Sequence, residues 1–243
     1  MPSSVRSTFA GLEVKTVRFQ NPATQHVINI AGVMHLAHDS FWANLQDFMN
    51  QASKEGVLHL EGVKGFVGPL SEEESEKVDS LKSMASISLK MAEITKLTFQ
   101  KAGLKIEGLN AKNIDADVLS VARRMTVESL KSMSEAVDKF EELKESESEV
   151  GKVMVWVIKN MGWVQIIQKF FKTFSPAALN TDPAILDYRN EIAIDAALKE
   201  TKPVTLVWGA GHIPGMTKLL NAAGYVEVAS GWNVAVPRSY KLS

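Results

Sequence analysis

The chain predicts an α/β fold: a mixed, partly parallel central sheet flanked by helices, with a large helical insertion in the middle of the chain. Three stretches carry that expectation. Val204-Thr205-Leu206-Val207-Trp208 is a short apolar run rich in β-branched residues, and Gly209-Ala210-Gly211-His212-Ile213-Pro214 turns it directly into a helix start. His26 to Val33 is almost wholly apolar, as strands covered on both faces are. From Ser71 onward the strand-helix alternation gives way to helical periodicity. The organisation expected is one domain over 1–243, with 71–175 inserted as helices.

Composition narrows the function. A chain of 243 residues, 45% of them hydrophobic, can enclose one sizeable core. Lys and Arg number 27 against 28 Asp and Glu, so a net charge of -1 gives no electrostatic reason to expect a nucleic-acid partner. With no cysteine, disulfides, thiolate nucleophiles and thiolate-bound metals are excluded, and any metal must rest on His, Asp or Glu. Met1 to Leu12 lacks a basic start followed by an apolar segment, so no secretory signal is expected and the assigned location is cytoplasmic.

The elements follow in order. Leu12 to Phe19 alternates apolar and polar residues with one slip of phase, as an edge strand does. His26 to Val33 is the buried central strand, ending in Gly32-Val33-Met34-His35. Phe41, Leu45, Phe48 and Met49 recur at helical spacing within Asp39 to Lys54, with Asp39 or Ser40 as N-cap and Gly56 as the stop. Val57 to Gly62 reads as a third strand, forming a β-α-β unit with the second. Alternation puts His59 and Glu61 on one side of it, with Glu61 at the end.

Ser71-Glu72-Glu73-Glu74 is a capping box, and Leu81, Met84, Ile87, Met91, Ile94 and Leu97 carry a helix to a stop at Gly103. Leu104 to Leu109 reads as a short strand, Asn110 to Asp117 as a polar loop, and 117–146 as a further helix. Its acidic end, Glu141 to Glu149, is read as a solvated face.

The stretch 153–174 is apolar enough to suggest a membrane span. Lys159 sits midway along it, however, and a central lysine costs about 2.5–3.5 kcal/mol, so no transmembrane segment is expected. Val153, Trp156, Asn160, Trp163, Ile167, Phe170 and Phe174 follow a three-four spacing. That spacing fits a helix packed on its own chain, a homodimer seam, or a greasy cover over a groove.

Thr181 or Asp182 caps the next helix, and Pro183 takes its first turn. Arg189 falls inside its apolar stripe of Ile185, Ile192 and Ala196. A guanidinium facing a core stays charged and needs a carboxylate or an anionic ligand. Met216 to Ala223 is a short helix ended by Gly224; Tyr225–Ser230 and Trp232–Val236 read as a hairpin around Gly231.

His35, Glu61 and His212 therefore all lie just past the ends of apolar strands, where open α/β sheets place their chemistry. Two histidines and a carboxylate are a usual ligand set for a catalytic Zn, Mn, Fe or Co ion that acidifies a bound water. The same residues also occur at strand ends as ordinary hydrogen-bonded groups. Gly209 to Gly215 superficially imitates a dinucleotide fingerprint, but the glycine spacing is one residue too long and no room remains for further β-α units. Of the other histidines, His38 is a further candidate ligand or a helix-start hydrogen-bonding group, His59 a bonded strand residue and His26 a surface residue. Asp115 and Asp117 are candidates either to pair with Arg189 or for loop and capping duty.

Gly32-Val33-Met34-His35, Leu60-Glu61, Tyr188-Arg189-Asn190 and Val207-Trp208-Gly209-Ala210-Gly211-His212, with Gly215 and Gly224-Tyr225 beyond, resemble the TraB/GumN/Tiki superfamily. The pieces come in the family's order and frame almost the whole chain, while the helical middle has no counterpart and Val33 stands where the family often has Thr. The resemblance implies an α/β core with a helical insertion and an active centre of paired Gly-x-x-His motifs with a glutamate. Tiki-type members are metal-dependent peptidases, and related erythromycin esterases hydrolyse with a His/Glu centre and no metal. Carried over by position, His35, Glu61 and His212 form the centre around a divalent ion, with Glu61 as ligand or general base and Arg189 and Asn190 binding substrate or an oxyanion. The expected function is hydrolysis of a small-molecule or peptide substrate. The alternative is a non-catalytic pocket in which the Trp-rich helix holds an apolar ligand or a second subunit.

Overall fold

In a computed structural model of the chain, residues 4–126, 131, 135 and 186–240 are described. Seven strands form one mixed sheet. Strands β1 (Val5–Ser7), β2 (Gly11–Gln20) and β3 (Val27–Val33) open the chain, followed by the two-residue β4 (Leu36–Ala37). Helix α1 (Asp39–Glu55) leads to β5 (Val57–Leu60), and α2 (Glu72–Thr95) to β6 (Thr98–Phe99), α3 (Gln100–Gly103), β7 (Ala111–Asn113) and α4 (Val118–Ala122). After the central stretch come α5 (Asp187–Leu198), β8 (Val204–Gly209), a 3-10 turn (Ala210–His212), α6 (Ile213–Ala222) and β9 (Val226–Pro237).

The strand order is β9-β2-β3-β8-β5-β7, with β1 and β3 sharing one edge of β2. Strands β3, β8, β5 and β7 are mutually parallel, whereas β2 runs antiparallel to each of its partners β1, β3 and β9. The mixed, partly parallel α/β sheet is thus as expected. The β-α-β unit of β3 and β5 is wider than a simple one, because β8 inserts between them. All of Val204 to Trp208 is buried, as a strand with parallel neighbours and helices on both faces requires. One face packs Val33, Leu58 and Val207 against Phe41, Trp42, Leu45 and Met49 of α1. The other packs Ile30, Leu206 and Trp208 against Ala193, Ile194 and Ala197 of α5 and Met216 and Leu220 of α6. Each Val, Leu, Ile, Phe or Met among these, fully buried, contributes about 1.5–3 kcal/mol.

Several boundaries differ from the expectations, each for a local reason. The first long strand is interior, since β9 pairs with it along its whole length. The closing hairpin is instead the single strand β9, with Gly231 mid-strand opposite Thr16. Helix α2 has the expected Ser71/Glu74 capping box but stops at Lys96, which adopts the left-handed conformation. Gly103 instead makes room for a ring: a Cβ there would come within 2.5 Å of Trp42. His38, rather than Asp39 or Ser40, caps α1, its Nδ1 accepting from the Ser40 N–H at 3.2 Å. Leu104 to Leu109 is not a strand; the pairing with β5 falls on Ala111–Asn113, inside the expected loop. Helix α4 covers only the start of the expected 117–146 helix; residues 123–126 are not helical, Lys131 and Glu135 are, and the remainder of that stretch lies outside the described residues. The seam at 153–174 and the caps at Thr181 to Pro183 lie outside the described residues. Among the described residues no helix is long and apolar enough to cross a membrane.

Candidate functional site

Parallel strands bring their carboxyl ends to one edge of the sheet, and four side chains reach it from β3, β5, β7 and β8. Val33 leads to His35, Leu60 to Glu61, Asn113 to Asp115, and Gly209 to His212. The central position of β8 explains why His212 meets Glu61, since β8 and β5 are hydrogen-bonded neighbours ending together. His212 Nε2 lies 3.5 Å from Glu61 Oε1. The ring is buried at 4% exposure, edge-on to Trp208 with centroids 5.2 Å apart. Its Nδ1 is 2.7 Å from Asn190 Oδ1, an acceptor, so the Nδ1–H donates and Nε2 faces the carboxylate.

Glu61 is held at both oxygens. Oε1 accepts from Arg189 Nη2 at 2.7 Å, and Oε2 accepts from the backbone N–H of Gly209 at 2.5 Å. Glycine suits that approach, since a Cβ on Gly209 would sit only 3.1 Å from Oε2. Burial opposes ionisation of Glu61, but the contact with His212 and the charges of Arg189, His212 and His35 hold its carboxyl well below the usual range. It is a carboxylate at neutral pH.

Arg189 meets the requirement of a buried guanidinium twice over. Besides Glu61 it contacts Asp115, donating from Nε to Oδ1 at 2.8 Å and from Nη2 to Oδ2 at 2.6 Å. Asp115 also accepts the N–H groups of Gly62 and Ala116, each at 2.8 Å, so its oxygens are saturated. Burial works to lower the pKa of Arg189, but the two carboxylates outweigh it and raise it, keeping the cation fixed. These bonds use Nε and Nη2; Nη1 has no hydrogen-bond partner among the described residues. Arg189 and Asn190 are adjacent on α5, yet both are buried, because one reaches β5 and β7 and the other His212. The buried face of α5 is therefore Arg189, Asn190, Ala193, Ile194 and Ala197, not the stripe of Ile192 and Ala196 expected from periodicity. Asn190 is packed against α6: a Cβ on Gly215 would lie 2.2 Å from its Nδ2.

His35 stands apart. It is exposed, its Nδ1 lies 3.3 Å from Gln100 Oε1, and its carbonyl accepts from the Gln100 N–H. The β4–β6 ribbon that begins at Leu36 ties this segment to Gln100 rather than to the core. A cation held jointly by His35, Glu61 and His212 needs three donors around one point. Among the described residues no three His, Cys, Asp or Glu side chains come together in that way. Glu61 already has a guanidinium on one oxygen and a backbone N–H on the other. In the arrangement described, the donors do not fit a three-ligand centre.

The remaining candidates resolve individually. Asp115 pairs with Arg189 while Asp117 caps α4 through the Ser120 N–H at 2.8 Å, so the pair that looked alike divides the two duties. His59 is fully buried, with Nε2 3.2 Å from Glu200 and Nδ1 without a hydrogen-bond partner among the described residues. Burial lowers its pKa, against the pull of Glu200. His26 is partly buried, its Nδ1 2.6 Å from the Tyr225 hydroxyl. Trp208, not singled out by the sequence, packs its ring against both His212 and Arg189, whose Cζ is 5.4 Å from the ring centroid. Its signal was present as an indole one residue before a turn that carries a candidate histidine. No family model, curated protein or solved structure matches the chain.

Proposed function

We propose that the chain hydrolyses an ester or amide bond in a small-molecule or peptide substrate, with His212 taking the proton of the attacking water. One observation carries the reading: a buried imidazole whose Nδ1–H is fixed by Asn190 turns Nε2 toward a carboxylate kept ionised by Arg189 and Gly209. A water placed against Nε2 would pass its proton there as it attacks the carbonyl carbon. The resulting imidazolium is balanced by Glu61, whose Oε1 lies 3.5 Å from the nitrogen that takes the proton. The proton then goes to the leaving alcohol or amine as the carbonyl re-forms. Arg189 Nη1, uncommitted among the described residues, supplies a donor for the oxyanion. Asn190 is a positioning residue that fixes the tautomer. The resemblance to the TraB/GumN/Tiki superfamily and the erythromycin esterases agrees in residue types, and this reading puts the chemistry on the protein's own side chains.

The test is hydrolysis of p-nitrophenyl acetate and of a p-nitroanilide by chelator-treated protein, with and without added zinc. Wild-type turnover that falls by about 10²–10⁴ in His212→Ala supports the reading. Equal rates for the two proteins, or none from wild type in either condition, overturn it. Stoichiometric zinc that binds wild type but not His212→Ala, and without which no turnover occurs, would replace this version with the metal-dependent one.

A further inference from the structure

On the opposite face of the sheet from α5 and α6, the antiparallel half leaves a groove of about 390 Å3 between α1 and strands β2, β3 and β9. Its volume lies within the range of small-molecule sites, roughly 300–1,000 Å3. The register defines its floor. Thr16 pairs with Ala31 and Arg18 with Asn29, while across β2 the partners of Thr16 and Arg18 are Gly231 and Ala229. Two of the smallest residues thus lie where larger ones would fill the groove, and a Cβ on Gly231 would meet nothing within 4 Å. The wall is apolar: Phe41 and Leu45 are buried and Phe48 is 38% exposed.

Charge decides what such a groove holds. Arg18 is the single charged residue of its lining, and no acid lines it. Among the described residues Arg18 makes no ion pair, although Lys15 and Arg6 on the other face have Glu227 and Glu13. Asn44, on the rim, is likewise a polar group without a partner among the described residues. An apolar trough with one planar cation at its side fits a ligand with an apolar body and one carboxylate, which a guanidinium binds bidentately.

We propose that this groove is a binding site for an amphipathic monocarboxylate, its chain lying over Gly231 and Ala229 against Phe48 and its carboxylate on Arg18. The site shares no residue with the His212 centre and stands whether or not the hydrolase reading holds.

Isothermal titration of the full chain with sodium decanoate below its micelle concentration tests it. The expected result is saturable binding of a single decanoate per chain, weakened about tenfold or more in Arg18→Gln, the size of one charge-assisted hydrogen-bonded contact. Decyltrimethylammonium, with the same chain and the opposite charge, should not bind. Gly231→Phe should abolish binding by filling the trough, and Asn44→Trp, at the exposed rim of the groove on α1, provides a second block that leaves the strands untouched. His212→Ala should bind as wild type does. Absence of decanoate binding, equal binding of the cationic probe, or undiminished binding in both blocking variants would overturn the proposal.

Discussion

The two halves of the sheet treat polar groups in opposite ways. At the carboxyl edge of the parallel half, Arg189, Glu61, Asp115, Asn190 and His212 are buried or nearly so, and each is tied to another member or to backbone. In the antiparallel half, β9 is exposed over most of its length and Arg18 stands in solvent beside the groove. The difference follows from cover. Helices close both faces of the parallel strands, so any charge there must be compensated within the protein. Among the described residues outer strand β9 has strand neighbours along one edge only, and its polar groups can remain with water. Chemistry that depends on fixed charge belongs in the first region; reversible capture of a ligand suits the second.

The contrast is broken most severely at Asp115. Asp115→Ala leaves Arg189 buried with one carboxylate, and a loss of about 3–5 kcal/mol is expected in urea unfolding, as for other broken buried pairs. The double variant Asp115→Ala, Arg189→Met should recover much of it, because no orphaned charge remains. Next in size is Gly215→Ala, whose methyl would overlap Asn190 Nδ2. It should cost about 1–3 kcal/mol by overpacking and lower turnover through displaced His212.

Within the parallel half, two buried groups should separate by pH. Because the folded pKa of His59 lies below its ordinary 6.5, the unfolded chain takes up a proton that the fold refuses as pH drops through that value. Stability is expected to decline from there. Glu61, with its folded pKa well below 4.5, adds a second decline: its contribution is complete above 4.5 and lost as pH falls toward the folded value. Unfolding free energies measured against pH should lose the upper phase in His59→Leu and the lower one in Glu61→Gln. The smallest effect is expected on β9, where Val228 is 48% exposed. Val228→Thr should change stability by no more than about 0.5 kcal/mol.

Much of the site could be anticipated from local chemistry. Arg189 in an apolar helix pattern demanded an anion, and two carboxylates answer it. Glu61 and His212, each just past a buried strand, were placed by position and do meet. His35 satisfied the same positional rule and its charge acts on Glu61, yet it is exposed and bonded to Gln100 beside the β4–β6 ribbon. That ribbon joins Leu36 to Phe99, and two-residue strands leave no periodicity to read. The choice between Asp115 and Asp117 was equally invisible, since both are short acids in one polar stretch and only the reach of α5 separates them.

Apolar runs, caps and helical spacing, read in the chain alone, determined that β3, α1, β5, α2, β8 and α6 would form and roughly where. These signals are local: each strand or helix declares which side it must bury through its own neighbours in sequence. Packing alone decided that β8 would insert between β3 and β5, that β9 would run unbroken along β2, and that one turn-borne histidine would be buried against a carboxylate while the other stays exposed. Such outcomes depend on register between segments far apart in the chain, and that register is set by the mutual fit of buried faces, which no single segment contains.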